Sequence, residues 1–199
     1  MRNLCITLII ALVVPAVWFS SCAKVDDYEG DGKPTVSDVR FNANDTLLLE
    51  NGEVIVLNDS TKTNFPRIDT FIIGKTLYLN ARFRDSIGLS SYRVRMIVDL
   101  ETKEHFISKK PLDIKALGED IFSTKSHKIK DTTIIRNRLF SIPETITRLD
   151  TVFNPKQGLY DVQIACGNIA NRVDSTSFYY KVLLLSRDSI LSIRKKQNI

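Results

Sequence analysis

Apolar and polar residues alternate with a period of two along most of this 199-residue chain. That period fits strands, whose successive side chains point to opposite faces. The clearest run is Leu77-Tyr78-Leu79-Asn80-Ala81-Arg82-Phe83-Arg84, with Leu77, Leu79, Ala81 and Phe83 on one face and polar groups on the other. It predicts a half-buried strand. After the turn Asp85-Ser86-Ile87-Gly88, the residues Tyr92, Val94, Met96 and Val98 repeat the pattern, and Tyr160, Val162, Ile164 and then Phe178, Tyr180, Val182 continue it. Ile134 to Ile142 reads as a strand stopped by Pro143, and Pro34 opens an edge strand, Thr35 to Phe41, where a missing N–H does least harm. Thr46–Glu50 and Glu53–Leu57 flank Asn51-Gly52, which predicts a hairpin with a two-residue type I′ turn. Residues 111–120 and the stretch Ser186 to Gln197 are spaced so that short helices are allowed, although neither shows clear caps. With no alternation of strands and helices, the chain is expected to be all-β, with antiparallel sheets packed as a sandwich.

The first residues have a different logic. Arg2 precedes an apolar run from Leu4 to Phe19, broken only by Thr7, and Ser20-Ser21-Cys22 closes it. This is the plan of a secretory signal. A membrane-spanning helix needs about twenty apolar residues without an internal breaker, and this run is shorter and carries Pro15. The small residues before Cys22 resemble the lipobox of bacterial lipoproteins, with Phe19 where that motif usually has Leu. The resemblance implies cleavage before Cys22, a diacyl thioether on its sulfur and an acyl chain such as palmitate on its new amino group, together a firm membrane anchor. Plain secretion, with Cys22 a chance neighbour of the cleavage site, is the rival reading. Residues 22–33 are polar and contain Gly30 and Gly32, as a flexible tether would. Within them Asp26, Asp27 and Glu29 resemble the export signal of Bacteroidetes surface lipoproteins; an ordinary solvated linker would look similar. The expected organisation is therefore a signal peptide at 1–21, an acidic tether at 22–33, a β-sandwich at 34–185 and a basic C-terminal tail at 186–199.

Removing 21 residues from 199 leaves 178, enough for one core. The net charge of +5 falls to +4 without Arg2, and the surplus gathers at the C-terminal end, where Lys181, Arg187, Arg194, Lys195 and Lys196 face only Asp188. Of the three cysteines, Cys5 leaves with the signal and Cys22 is the lipid site, so no intramolecular disulfide can form in the mature chain. Its stability must rest on apolar packing. Cys166, in phase with Tyr160, Val162 and Ile164, is expected to be a small buried apolar residue rather than a reactive thiol.

The segment from Gly74-Lys75-Thr76-Leu77 through Asp85-Ser86-Ile87-Gly88-Leu89 to Tyr92-Arg93-Val94 resembles the B strand, connecting turn and C strand of immunoglobulin-like and cadherin-like bacterial domains. Ile142-Pro143 through Gly158-Leu159-Tyr160-Asp161-Val162 resembles their E-to-F passage. Gly167-Asn168 to Asn171-Arg172 is similar to the turn before strand G but lacks its aspartate. Together with the lipobox and Asp31-Gly32-Lys33-Pro34, the chain resembles a Bacteroidetes outer-membrane lipoprotein family of unknown function. The resemblance implies an immunoglobulin-like antiparallel sandwich with an N-terminal hairpin, an insertion between strands C and E at Leu100 to Asp131, and a tyrosine corner in which Tyr160, after Gly158, bonds backbone upstream.

Catalytic signatures are sparse. His105 and His127 are about twenty residues apart in a polar stretch, and no cysteine cluster, Gly-x-Ser-x-Gly elbow or phosphate-cradling loop is present. Asp85 is a weak calcium candidate, since cadherin-like loops bind calcium, but an Asp-Ser-x-Gly turn needs that carboxylate for backbone N–H groups anyway. Arg82, Arg84, Arg93 and Arg95 would merge into a basic patch only if their two strands formed a hairpin. The expectation is a non-catalytic binding or structural module without cofactor or resident metal and without nucleic-acid contacts. A lipid would anchor it to the outer membrane, at the cell surface or the periplasmic face, with a surface protein or glycan as partner. The alternatives are an assembly subunit that donates a strand, from Val182 to Leu185 or from the tail, and a carbohydrate-active hydrolase or its accessory.

Overall fold

A computed structural model of the chain describes residues 33–61, 68–118, 128–170 and 176–197. Residues 1–21, Cys22, Asp26, Asp27 and Glu29 lie outside the described residues, as do His127 and the Asn171-Arg172 pair. The described residues are mostly β, as the alternation predicts, with antiparallel pairing in every sheet.

Two sheets enclose the main core. One holds β1 (Thr35–Phe41), β5 (Thr76–Arg84) and β9 (Asp131–Ser141) in that order. The other runs β4 (Asp69–Ile72), β13 (Thr176–Leu185), β12 (Gly158–Asn168), β6 (Leu89–Val98) and β8 (Leu112–Gly118). All neighbours are antiparallel except β4 and β13. Leu77, Leu79, Ala81 and Phe83 of β5 are buried and meet Tyr92, Val94, Met96 and Val98 of β6 and Val162, Ile164 and Cys166 of β12. Burying each large side chain contributes roughly 1.5–3 kcal/mol before conformational entropy is subtracted. Across the layers Phe83 stacks on Tyr92, with ring centroids 4.8 Å apart. Because β5 and β6 lie in different sheets, Arg82 and Arg84 do not share a face with Arg93 and Arg95.

Between β1 and β4 the chain makes a separate hairpin, β2 (Thr46–Leu48) with β3 (Val54–Val56), in the register Leu47↔Ile55. Asparagine amides tie down both its ends. Asn42 Oδ1 accepts the Tyr78 N–H at 2.8 Å, and Asn58 both accepts the Thr70 N–H and donates to the Thr70 carbonyl. The hairpin turn differs from the two-residue type I′ expectation. The Leu49 N–H reaches the Glu53 carbonyl and the Gly52 N–H the Leu49 carbonyl, so Glu50, Asn51 and Gly52 form a three-residue loop with Gly52 left-handed at φ 82°. The two-residue turn with both residues left-handed occurs instead at Leu149-Asp150 (φ 46° and 63°). It joins β10 (Ile146–Arg148) to β11 (Thr151–Pro155).

Of the two segments whose spacing allows a helix, residues 112–118 are strand β8, paired along its length to β6. The expected insertion is thus partly an edge strand of the larger sheet; the same region also supplies β7 (Leu100–Glu101), which pairs with β11. The other segment is α1 (Arg187–Gln197), and the stretch expected as a basic tail is therefore helical. Its cap is Ser186, whose Oγ accepts the Ser189 N–H at 3.2 Å. Ile190 packs with Leu47 and Ile72 in a small second core. Lys181, counted in the basic surplus of the C-terminal end, sits in β13 and pairs with Asp161 at 2.7 Å.

Candidate functional site

Asp85 is buried at the head of a turn. Its Oδ1 accepts the N–H groups of Ile87 (2.8 Å) and Gly88 (2.6 Å), and its Oδ2 accepts from Asn168 Nδ2 at 3.2 Å. Both oxygens face donors, whereas calcium requires a shell of oxygens. Among the described residues no three His, Cys, Asp or Glu side chains gather as a metal site would need. His105 is exposed, 3.6 Å from Glu101. Tyr160 donates its hydroxyl to the Lys156 carbonyl at 2.6 Å, and burial beside the Asp99 carboxylate pushes the phenol up to about 12. Gly158, two residues earlier, has φ 152° and open space where a Cβ would stand. Cys166 is buried, and burial next to the Asp85 carboxylate pushes its thiol up to about 12, far from the range of a nucleophile.

The strand proposed for donation, Val182 to Leu185, is hydrogen bonded on both sides, to Gly158–Tyr160 of β12 and to Asp69–Ile72 of β4. It has no open edge.

A concavity lies elsewhere, over the outer face of the β1-β5-β9 sheet. It is a cleft of about 590 Å³ between the Asn42–Thr46 loop, the start of β5 and a bulge in β9. Alternation turns Thr76, Tyr78 and Asn80 outward, opposite their buried neighbours. The bulge arises because Leu79 pairs with Asn137 and Ala81 with Ile134, which leaves Ile135 and Arg136 facing Asn80. Arg136 is left-handed at φ 50°, and its N–H donates to Asn80 Oδ1 at 2.6 Å. Its guanidinium lies 5.6 Å from the Tyr78 ring centroid, a cation–π contact. Asn42 and Asn44 are also left-handed, at φ 46° and 59°. Asn tolerates this conformation, but for arginine it carries strain of a kind that concentrates at binding sites.

Charges in the cleft differ from two paired clusters outside it. Asp131 takes Arg82 at 2.6 Å and Arg84 at 3.1 Å, and the Arg82 guanidinium chiefly holds its carboxyl at about 2. Asp113 takes Arg95 at 2.9 Å and Lys115 at 3.2 Å. In the cleft, burial pushes the Asp45 carboxyl up, while the Thr46 N–H and the charges of Lys75 and Arg136 pull it down. Yet among the described residues neither cation stands within ion-pair distance of the Asp45 carboxylate, whose one hydrogen bond there is from the Thr46 N–H at 3.1 Å. One carboxylate and two cations therefore influence one another across an open space. Asp45 is the only carboxylate lining the cleft among the described residues, so no pair for glycoside hydrolysis stands there.

None of these cleft residues stands out in the sequence. The available signals are the consecutive Ile134 and Ile135, which break the alternation where the bulge falls, and the polar run Asn42-Ala43-Asn44-Asp45. No protein-family model and no curated protein sequence matches the chain.

Proposed function

We propose that the chain is a lipid-anchored outer-membrane lipoprotein whose immunoglobulin-like domain, acting without catalysis, presents a binding cleft on its membrane-distal end. The position of the cleft carries this reading. Lys33 leads into β1 beside the far end of β5, in the register Thr35↔Arg84, whereas the cleft lies past Phe41 at the start of β5. Seven residues of strand at about 3.3 Å each separate the two ends by roughly 20 Å. A tether running from Cys22 to Lys33 would join the domain at the end of β1 opposite the cleft.

The immunoglobulin-like assignment is supported by the sheet orders, which correspond to strands A-B-E and A′-G-F-C-C′ of such domains, and by the Tyr160 hydroxyl on the Lys156 carbonyl. On this reading β2 and β3 interrupt the passage from A to A′, and β8 is C′. Family membership and surface location rest on the lipobox and on Asp26, Asp27 and Glu29.

Metabolic labelling with a palmitate analogue tests the anchor. The wild-type chain should take up label and Cys22→Ser should not; an unlabelled wild type, or a labelled Cys22→Ser, would contradict the proposal. Protease treatment of intact cells tests the leaflet, and protection of the folded domain would place it on the periplasmic side.

A further inference from the structure

We infer that the cleft binds an anionic saccharide unit, its acid group held between Lys75 and Arg136 and its hydroxyls by Asp45 and by the amides of Asn42, Asn44 and Asn80. The inference rests on the proposed binding role of this site and names its ligand class. The three asparagines share one arrangement. Asn42 Oδ1 accepts the Tyr78 N–H at 2.8 Å, Asn44 Oδ1 the Ser60 N–H at 3.0 Å and Asn80 Oδ1 the Arg136 N–H at 2.6 Å. A backbone N–H can only donate, so the side-chain oxygens are fixed as the facing atoms. Each amide therefore keeps its Nδ2 as a donor, and none of the three nitrogens has an acceptor among the described residues.

With the Lys75 ammonium and the Arg136 guanidinium, the lining is rich in donors and carries a net positive charge against one carboxylate. Its complement is a ligand dense in acceptor oxygens and bearing negative charge. Sugar hydroxyls meet both needs of the remaining groups, since they accept from amides and donate to Asp45. The volume of about 590 Å³ is in the range of small-ligand sites and would admit one or two sugar rings. The Tyr78 face is already covered by Arg136, so recognition depends on charge and hydrogen bonds rather than on ring stacking. An inorganic anion would use the two cations but would leave the asparagine amides without a role.

The test uses the detergent-solubilised full-length chain on an array of uronate-, sulfate- and phosphate-bearing oligosaccharides with their neutral counterparts, followed by titration with the best-retained acidic oligosaccharide. Acidic members should be retained and neutral ones should not. Lys75→Ala and Arg136→Gly should each weaken binding roughly tenfold or more, the loss expected for one charge-assisted contact. Arg136→Gly removes the guanidinium at a backbone position that glycine accepts without strain, so the fold should survive it. Unchanged circular dichroism in both variants makes a binding loss attributable to the site. The inference is overturned if no acidic member is retained, if neutral counterparts bind equally, if both variants bind as wild type does, or if inorganic phosphate competes at the same concentration as the saccharide. Because palmitate labelling is unaffected by the ligand, such a failure would remove the ligand class and leave the anchor proposal standing.

Discussion

Gly118 faces Tyr92 across the β6–β8 pair, and a Cβ placed on it would lie 1.8 Å from two carbons of the tyrosine ring. Nothing in the backbone forbids alanine there, since Gly118 has no positive φ, so Gly118→Ala tests packing alone. The ring cannot yield freely. It is fully buried, stacks on Phe83 at 4.8 Å and accepts a 2.7 Å hydrogen bond on its hydroxyl from Asn137 Nδ2. Moving it costs about 1–3 kcal/mol for overpacking, with about 0.5–1.5 kcal/mol more for the stack and a similar amount for the hydrogen bond. A total of about 2–6 kcal/mol is a large part of the stability of one domain. At about 2 kcal/mol per molar urea, the unfolding midpoint of the mature chain, followed by far-UV circular dichroism, should fall by roughly 1–3 M. The cycle is completed with Tyr92→Ala. In that background the added methyl meets no ring, and Gly118→Ala should cost close to nothing. A single variant whose midpoint stays within about 0.3 M of wild type, or a cycle in which the two effects simply add, would refute the assigned contact.

Tyr160→Phe removes the hydroxyl from the Lys156 carbonyl and should destabilise by about 1 kcal/mol in the same assay, leaving the sheets intact. Leu149→Asn should stabilise by about 1 kcal/mol, because leucine at φ 46° strains against its own carbonyl and asparagine does not; an unchanged or lower midpoint would contradict the turn geometry. Asp45→Asn keeps the acceptor for the Thr46 N–H and abolishes a half-buried charge. The folded pKa of Asp45 is raised above its ordinary 3.8, so wild-type stability should fall relative to the variant as pH rises through that window and level off above it, and a gap that narrows with rising pH would reverse the sign. Cys166 should resist a thiol reagent at neutral pH in the native protein and react once urea unfolds it, whereas rapid native labelling would contradict its burial.

The alternation of residues 77–84, 92–98 and 160–164 by itself determined the strands and which side of each is buried, because a period of two leaves one face for the core. Sequence also carried the function of Asp85 as a turn residue, since an aspartate two and three positions before free N–H groups bonds them locally. Longer-range matters needed the tertiary structure. The Asn51-Gly52 turn gained a third residue because the flanking register, Leu47↔Ile55, fixes how many residues remain between the strands. The Ser186 cap is legible only once Leu47 and Ile72 give Ile190 a place to pack. The cleft depends still more on partners distant in the chain: Asn80 takes the N–H of Arg136, Asn42 that of Tyr78, and Asn44 that of Ser60. Each polar residue there reads locally as an ordinary outward-facing strand or loop position. Only the pairing of β5 with a bulged β9, set beside the loop that leaves β1, brings one carboxylate, two cations and three amides to the same opening.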